Sequence, residues 1–543
     1  MSGNTQEFDA IIIGAGIAGM YQLLRFRDLG FSVRVFEEGS GVGGTWYWNR
    51  YPGARFDSES YSYGYSFSEE LLQEWDWTEH FSPQPETLRY LNHVADKFDL
   101  RKDIQFNSRV KSAIYDEATQ RWNVTLENGD SASGRFLITA IGPLSAPTLP
   151  NIEGRDSFEG QSFHTARWPQ DPNGFGGKDV GFAGKRVGVI GTGATGVQVI
   201  QEVAKTAAHL TVFQRTPNFC APLKNSPIDP ATQKEIKASY PEIFAKCQQS
   251  GGAFIHLPDP RSALEVSEEE REALFERLYN EPGFGIWIGN FRDTLIDANA
   301  NALLTEFIKK KIRQRVKDPE TAEKLIPTNH GFGMRRVPLE TNYYEVYNQD
   351  NVELVSLLET PITRITPKGV QVGDREIELD ILIYATGFDA VTGAFSRIDI
   401  RGEGGKTLQE KWADGPHTYL GIQTVGFPNM FTLVGPHNGA TFCNIPRCIE
   451  QNVDWVTKLI NYMEEKHLAK VEPTEQAEEE WTDHVNEVGA MTLFSQVDSW
   501  FMGINQNIPN RKRTMLLYAG GNPAYREKCE AVEANNYEGF EFA

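Results

Sequence analysis

Arg335 and Arg336 stand side by side in Gly333-Met-Arg-Arg-Val-Pro338. Adjacent arginines before a proline-limited turn could clamp a phosphate and place a fixed cation at a reacting centre. They could equally form a basic loop, and the two residues alone leave both readings open. Asp57 ends the run Arg50-Tyr-Pro-Gly-Ala-Arg55-Phe-Asp57; on its own it reads as a turn or cap residue. Two glycine runs say more: Gly14-Ala-Gly16-Ile-Ala18-Gly19 and Gly191-Thr192-Gly193-Ala194-Thr195-Gly196. In G-x-G-x-x-G the first glycine makes a tight turn, the second lets backbone approach a pyrophosphate, and the third lets a helix pack on a strand.

The flanking residues supply the elements such a run needs. Ala10 to Ile13 predicts a buried strand, Ala18 to Leu29 a helix ended by Gly30, and Ser32 to Phe36 a second strand closed by Glu37. The helix N-terminus offers N–H groups to phosphate, and Glu37 can accept from ribose hydroxyls. Arg186 to Ile190, the second glycine run, a helix to about Ala204 and a strand Leu210 to Phe213 repeat the pattern. The second unit differs where the acid stood, carrying Gln214-Arg215-Thr216. A carboxylate there favours a free 2′-hydroxyl, whereas a guanidinium accommodates a 2′-phosphate. The first unit therefore reads as an FAD site and the second as an NADPH site. The expected fold class is α/β, with two Rossmann-like dinucleotide-binding domains and a helical insertion.

The chain has 543 residues, enough for two or three domains. Its net charge of −21 argues against nucleic acid or an anionic membrane as partner. Five cysteines without a C-x-x-C fit a reducing, cytosolic setting. Met1 to Phe8 is polar and acidic, unlike a signal peptide, and no apolar run reaches membrane-spanning length.

Between the units, Gly41-Val-Gly-Gly44-Thr45-Trp46-Tyr47-Trp48 alternates glycine and aromatics, which could wrap a flat ring system or simply be core. Asp76 to Leu100 predicts helix, punctuated by Pro83 and Pro85, and Arg121 to Leu126 and Arg135 to Ala140 predict strands. Pro143, Pro147 and Pro150 mark an exit into a linker, Phe158-Glu-Gly160-Gln-Ser-Phe-His164-Thr-Ala-Arg-Trp168-Pro169. Pro222 to Asn329 is helical and charged, with a capping box at Ser267-Glu-Glu-Glu270 and a basic face from Phe307 to Val316 read as solvated.

Two dinucleotide sites imply hydride transfer from NADPH to a flavin. No cysteine precedes Cys220, so the redox pair of a flavoprotein disulfide reductase is missing. Cys443 and Cys448 lie in the other half and read as small buried apolar residues. No metal-ligand pattern is present, and O₂ becomes the candidate oxidant.

Phe158, Gly160, His164 and Trp168 match F-x-G-x-x-x-H-x-x-x-W, and the chain resembles the type I Baeyer–Villiger monooxygenases over nearly its whole length. Both glycine runs, Gly43-Gly-Thr-Trp46, Ala385-Thr-Gly-Phe-Asp389 and Trp500 fall where that family has them. The chain looks like the branch acting on cyclic ketones, and Gly283-Phe-Gly-Ile-Trp287 and Gly435-Pro-His-Asn-Gly-Ala-Thr-Phe-Cys443 resemble one bacterial member of that branch. The resemblance implies a C4a-peroxyflavin that attacks a ketone carbonyl and yields an ester or lactone, with NADP⁺ bound throughout. It makes Arg336 the catalytic arginine and Asp57 its partner. It puts Arg335 where the family has a phosphate-binding lysine, with Arg215 and Thr216 beside it, and has Trp500 close over NADP⁺. Tyr63, Val110 and Ile445 take positions that touch FAD, and His164 is expected to be architectural. After Trp500, Gly503-Ile-Asn-Gln-Asn-Ile-Pro509 is longer than the family's usual segment.

The expected organisation is an FAD domain over residues 1–145 and 384–543, the latter with a C-terminal closing segment. An NADP domain covers 146–221 and 332–383, interrupted by the helical insertion 222–331. The expected partners are a small-molecule ketone and O₂, with sulfoxidation as a side activity. An N- or S-oxygenating flavoenzyme and a non-catalytic flavin redox sensor are the alternatives. Oligomeric state is not readable from the sequence.

Overall fold

The computed structural model of the chain describes residues 5–441, 443–509 and 511–543. The extreme N-terminus before Thr5 and Phe442, both part of the sequence reading above, lie outside the described residues.

The first sheet begins with β1 (Gln6–Ile13), the predicted buried strand extended by Gln6–Asp9 at its more exposed end. It continues through β2 (Val33–Phe36), β3 (Ile104–Gln105), β4 (Val110–Asp116), β5 (Arg121–Leu126) and β6 (Ser131–Thr139). β3, β2, β1 and β6 run parallel, and β6, β5 and β4 form an antiparallel meander. The helix Ile17–Asp28 connects β1 to β2 and buries Leu23 and Phe26 against the sheet. The long predicted helix from Asp76 is shorter. It spans Gln84–Lys97, because Pro83 is its N-cap and Pro85 fits only its first turn.

The second sheet is wholly parallel. It contains β7 (Gln161–His164), β8 (Arg186–Ile190) and β9 (His209–Gln214). The two-residue pair β10 (Ala221–Pro222) and β11 (Leu339–Glu340) brackets a helical stretch whose longest member is Ala298–Arg315. The capping box at Ser267 and Glu270 is present. The chain then returns through β12 (Val352–Ser356), a small antiparallel sheet of β13 (Ile362–Thr366), β14 (Gly369–Val372) and β15 (Arg375–Glu378), and β16 (Ile381–Tyr384). The sheet order is β12-β9-β8-β16-β7. β17 (Asp399–Arg401) and β18 (Met430–Thr432) complete the first sheet on β4 and β6.

Two readings of the sequence change. The Phe158–Pro169 stretch is not a loop: its centre is the edge strand β7, paired with β16 from Gln161–Ile381 to His164–Tyr384. A Cβ on Gly160 would stand 2.6 Å from the Asp380 carbonyl, so glycine lets this edge close. Trp168 is buried and its indole N–H donates to the Lys178 carbonyl at 3.0 Å. The basic face at Phe307–Val316 is not wholly solvated. Arg315 forms forked contacts with Glu340, whose side chain is fully buried, and with Glu345, and it stacks on Tyr344.

The two sheets are joined by two chain crossings that lie against each other. Thr148 N–H donates to the Gly387 carbonyl at 3.0 Å and Asp389 N–H to the Ala146 carbonyl at 2.8 Å. Any change of angle between the sheets must pass through this doubled strap.

Candidate active site

Both glycine runs build the same turn. Gly14 and Gly191 sit at φ +103° and +108°, and a Cβ on either would lie 2.5 or 2.4 Å from the carbonyl of Ala140 or Ala385. Gly19 and Gly196 pack so closely that a Cβ would fall 1.9 or 2.2 Å from the carbonyl of the first glycine. The middle residues, Gly16 and Gly193, are the N-caps of Ile17–Asp28 and Ala194–Val203 and offer no side-chain cap. The first-turn N–H groups of Ala18 and its neighbours, and of Ala194 and Thr195, are therefore available to an anion. A Cβ on Gly193 would meet nothing within 4 Å, so that face is open. These cradles fit two pyrophosphates.

Glu37 ends β2, buried, its oxygens accepting from the N–H groups of Ala15 and Gly39 at 2.7 Å each. Burial pushes its carboxyl upward and the two backbone donors oppose that. Gly44 at φ +53° lies against Gly16 and caps the short helix Thr45–Trp48. Trp46 is core: its indole N–H donates to the Tyr63 hydroxyl at 3.0 Å, and Tyr63 stacks on Phe56. Tyr47 bonds to Ser40 and Trp48 lies beneath the Arg167 guanidinium. Val110 opens β4 and is buried, while Ile445 opens the long helix Ile445–Lys466.

Asp57 and Arg336 meet at 2.8 Å. The Asp57 side chain is 1 % exposed and the Arg336 side chain 31 %. Asp57 Oδ2 also accepts from the Leu339 N–H at 3.3 Å, and Oδ1 is buried with no protein partner. Burial raises the Asp57 carboxyl, and Arg336 pulls it back down. Asp57 is thus no solvated turn residue.

Arg215 and Thr216 follow β9, and the Thr192 hydroxyl donates to the Thr216 carbonyl at 3.2 Å. Arg335 lies within reach of the Arg215 charge. Burial lowers its guanidinium, Asp498 raises it, and Arg215 lowers it again. Arg335 Nε is buried without a protein partner. Two guanidiniums near enough to repel, with no carboxylate bonded to either among the described residues, have the charge to receive a dianion. Arg55 is otherwise engaged, bonding Glu79 and the Phe81 carbonyl at 3.0 Å each. Trp500 packs beside Leu144, Ala390, Val391 and Leu516, while Leu493 and Val497 of the same segment pack on Met334. That small cluster ties the C-terminal segment to the Arg335–Arg336 loop.

His164 Nδ1 accepts from the Ala166 N–H at 3.1 Å, Nε2 is buried, and burial pushes the imidazole down to about 4. Three features escaped the sequence reading. Gln198, on the second cradle's helix, accepts from the Tyr51 hydroxyl at 2.7 Å and donates to the Arg55 carbonyl at 3.0 Å. Tyr51-Pro-Gly53 is therefore a seam between the sheets, and an i, i+4 pattern along Ala194–Val203 could have exposed the outward Gln198. Glu59 and His256 form a buried contact, for which no sequence signal exists. Cys443 and Cys448, read as separate buried residues, are bonded to each other.

The profile described as pyridine nucleotide-disulphide oxidoreductase matches residues 8–269. Among the described residues the cysteines in that span, Cys220 and Cys247, are free, so the match reflects the nucleotide fold and not a dithiol. The chain is 51 % identical over 536 residues to the 2-oxo-Δ3-4,5,5-trimethylcyclopentenylacetyl-CoA monooxygenase of Pseudomonas putida, covering 98 % of both. It is 43 % identical to the cyclohexanone 1,2-monooxygenase of an Acinetobacter species, covering 98 % of this chain and 96 % of that one. The crystal structure of OTEMO with FAD and NADP superposes with a TM-score of 0.96 at 51 % identity, over 99 % of this chain and 100 % of that one. With doubled cradles, a β7 edge strand bearing the Phe-Gly-His-Trp spacing, and full-length identity at this level, the chain belongs to the Baeyer–Villiger monooxygenases.

Proposed function

We propose that this enzyme uses NADPH and O₂ to convert a cyclic or bicyclic ketone to a lactone. The observation that carries this is the Asp57–Arg336 contact, its acid buried and its arginine partly exposed, fixed to β11 through the Leu339 N–H. FAD is assigned to the cradle of Gly14, Gly16 and Gly19, with Glu37 on its ribose, and NADP to that of Gly191, Gly193 and Gly196. Bound and reduced, the flavin supplies the electrons that activate O₂.

The chain's own residues do the rest. Asp57 holds Arg336 in one orientation and keeps part of its charge compensated. Arg336 presents the remaining charge where the ketone oxygen becomes an oxyanion, the placement in which a fixed cation stabilises a transition state most. Arg215 and Arg335 take the 2′-phosphate. Trp500 covers the nicotinamide side and limits water. The domain division stated above, with the insertion at 222–331, fits the two sheets and their double strap.

Incubation with NADPH, ¹⁸O₂ and a panel of bicyclic ketones tests this by mass spectrometry. One labelled oxygen in a lactone is the expected result; NADPH consumption with hydrogen peroxide alone across the panel would count against it. A second reading rests on the 45 % identity to the phenazine N-monooxygenase of Lysobacter antibioticus, covering 98 % of this chain and 97 % of that one. An aromatic N-heterocycle and a thioether therefore belong in the same panel, and a labelled N-oxide without lactone would favour that reading.

A further inference from the structure

Glu59 follows Asp57 by two residues and its side chain is 4 % exposed. Its Oε1 lies 2.8 Å from Nε2 of His256, which belongs to the helical insertion and is 14 % exposed. Oε2 is buried with no protein partner. A second part of the insertion leaves room for this contact. Gly283 has φ +82°, and a Cβ there would stand 2.6 Å from Glu59 Oε1 and 3.0 Å from His256 Nε2. The Gly283 run stood out in the sequence, and this crowding accounts for its first glycine.

The loop ending at His256 is also held at its start. Asn522 N–H donates to the Gly251 carbonyl and Asn444 N–H to the Gly252 carbonyl, each at 2.7 Å. Asn444 immediately precedes Ile445, at the head of the long helix. The insertion's 251–256 loop is thus pinned beside two segments of the proposed flavin site, the one opening at Ile445 and the one carrying Asp57. Glu59–His256 joins side chain to side chain, whereas the other two pins are backbone bonds that side-chain substitutions other than proline leave in place.

We infer that Glu59 and His256 are positioning residues for oxygenation: their contact locks the insertion's loop onto the Asp57 segment, so that the loop and the Asp57–Arg336 pair move as one body. The inference rests on the ketone-oxidising function proposed above. Its energetic sense is asymmetric. Removing His256 leaves a buried carboxylate with no partner, which is strongly unfavourable, whereas removing the Glu59 charge leaves an imidazole that can be neutral.

The test uses the flavin-loaded enzyme and the variants Glu59→Gln, His256→Gln and His256→Gly. Amide exchange of residues 250–257 and 57–63 reads the contact itself, whether or not a good ketone is in hand. Faster exchange confined to those segments is expected, larger in His256→Gly than in Glu59→Gln. Unchanged exchange, or a uniform rise across the chain, overturns the inference. With a ketone that the wild type converts, anaerobic flavin reduction by NADPH should stay within about twofold while hydrogen peroxide per NADPH rises several-fold. Added imidazole should return His256→Gly toward the wild-type ratio. Equal coupling in wild type and variants overturns it, as does loss of flavin reduction in step with coupling. A wild type that makes no lactone from any ketone defeats the functional proposal instead, and the exchange result then still decides this one. If His256→Gly does not fold, the two glutamine variants carry both readouts.

Discussion

The Asp57 carboxylate holds the Arg336 guanidinium at 2.8 Å while only the arginine reaches solvent. The acid is sealed and the base looks outward, so the pair presents a moderated positive charge in one direction. A bare arginine would sample several rotamers, and a fully buried pair would present no charge at all. Arg336→Ala should therefore leave flavin reduction by NADPH nearly intact and remove ester formation, with a loss of roughly 10²–10³-fold for a charge-stabilising donor. Stopped-flow reduction and product analysis on one preparation check it; a normal lactone yield would refute the role. Asp57→Ala should cost less in reduction than in coupling, because it frees Arg336 without deleting it.

Arg215 acts on Arg335 through its charge, with no carboxylate bonded to either side chain among the described residues; Asp498 acts on Arg335 only through its field. A dianionic 2′-phosphate relieves that repulsion and NADH does not. Arg215→Ala should reduce the preference for NADPH over NADH by about 10–100-fold, the scale of one to two charge-assisted hydrogen bonds. Arg335→Lys should do less, since charge survives and only the fork is lost. The ratio of kcat/KM for the two cofactors at fixed ionic strength measures both.

Much of this was legible in sequence. β5 and β8 fall on their predicted residues, and the box at Ser267 and Glu270 caps its helix, because short-range patterning and capping are local. The cradles were legible for the same reason. The edge strand β7 was not, since four residues gain strand character only by pairing with β16, more than two hundred positions later. Arg315 was misread because helical periodicity shows a basic face and not the buried Glu340 waiting beneath it. The Glu59–His256 contact has no local signature at all.

The two glycines of the second cradle should fail differently. A Cβ on Gly196 would overlap the Gly191 carbonyl at 2.2 Å, whereas one on Gly193 meets only open space. Gly196→Ala should therefore lower thermal stability, because helix and strand must part. Gly193→Ala should keep the wild-type Tm and flavin content yet raise KM for NADPH, because the methyl group occupies room meant for phosphate. Equal destabilisation by both would show that the open face is structural.

Two buried histidines and the half-buried His164 set an acid limit. Burial pushes His164 down to about 4, and His330 and His437 down to about 3. His437 donates Nε2–H to the Met515 carbonyl at 3.1 Å, a bond that favours the charged ring, but burial outweighs it and keeps the ring neutral. A folded pKa below the unfolded value of about 6.5 means that the unfolded chain takes up protons first as pH falls. Stability should be fully present above about pH 6.5 and decline steadily toward pH 3 to 4. His437→Gln should flatten part of that slope while lowering stability at neutral pH, a comparison that melting curves from pH 4 to 8 would settle. A parallel offset at every pH would remove His437 from the account.

The lengthened segment after Trp500 docks on the strap between the sheets. Asn505 Nδ2 donates to the Phe388 carbonyl at 2.6 Å, Asn507 Nδ2 to the Thr386 carbonyl at 3.2 Å, and Arg511 contacts Asp389 and Thr392. The same strap residues pair with Ala146 and Thr148 of the other crossing. Closure of this segment and the angle between the nucleotide domains therefore share hydrogen bonds, and loosening one should loosen the other. Asn505→Ala removes one anchor and leaves the strap's own backbone pairing intact. We expect NADP⁺ to dissociate faster by several-fold, in line with about 1 kcal/mol for one neutral hydrogen bond, with NADPH reduction of the flavin little changed. Arg511→Ala should add to that effect less than additively, because both side chains brace the same turn. Anaerobic mixing of the NADP⁺ complex with excess NADPH, with flavin bleaching as the readout of NADP⁺ release, would show it, and an unchanged off-rate in the double variant would mean that the docked segment does not limit release.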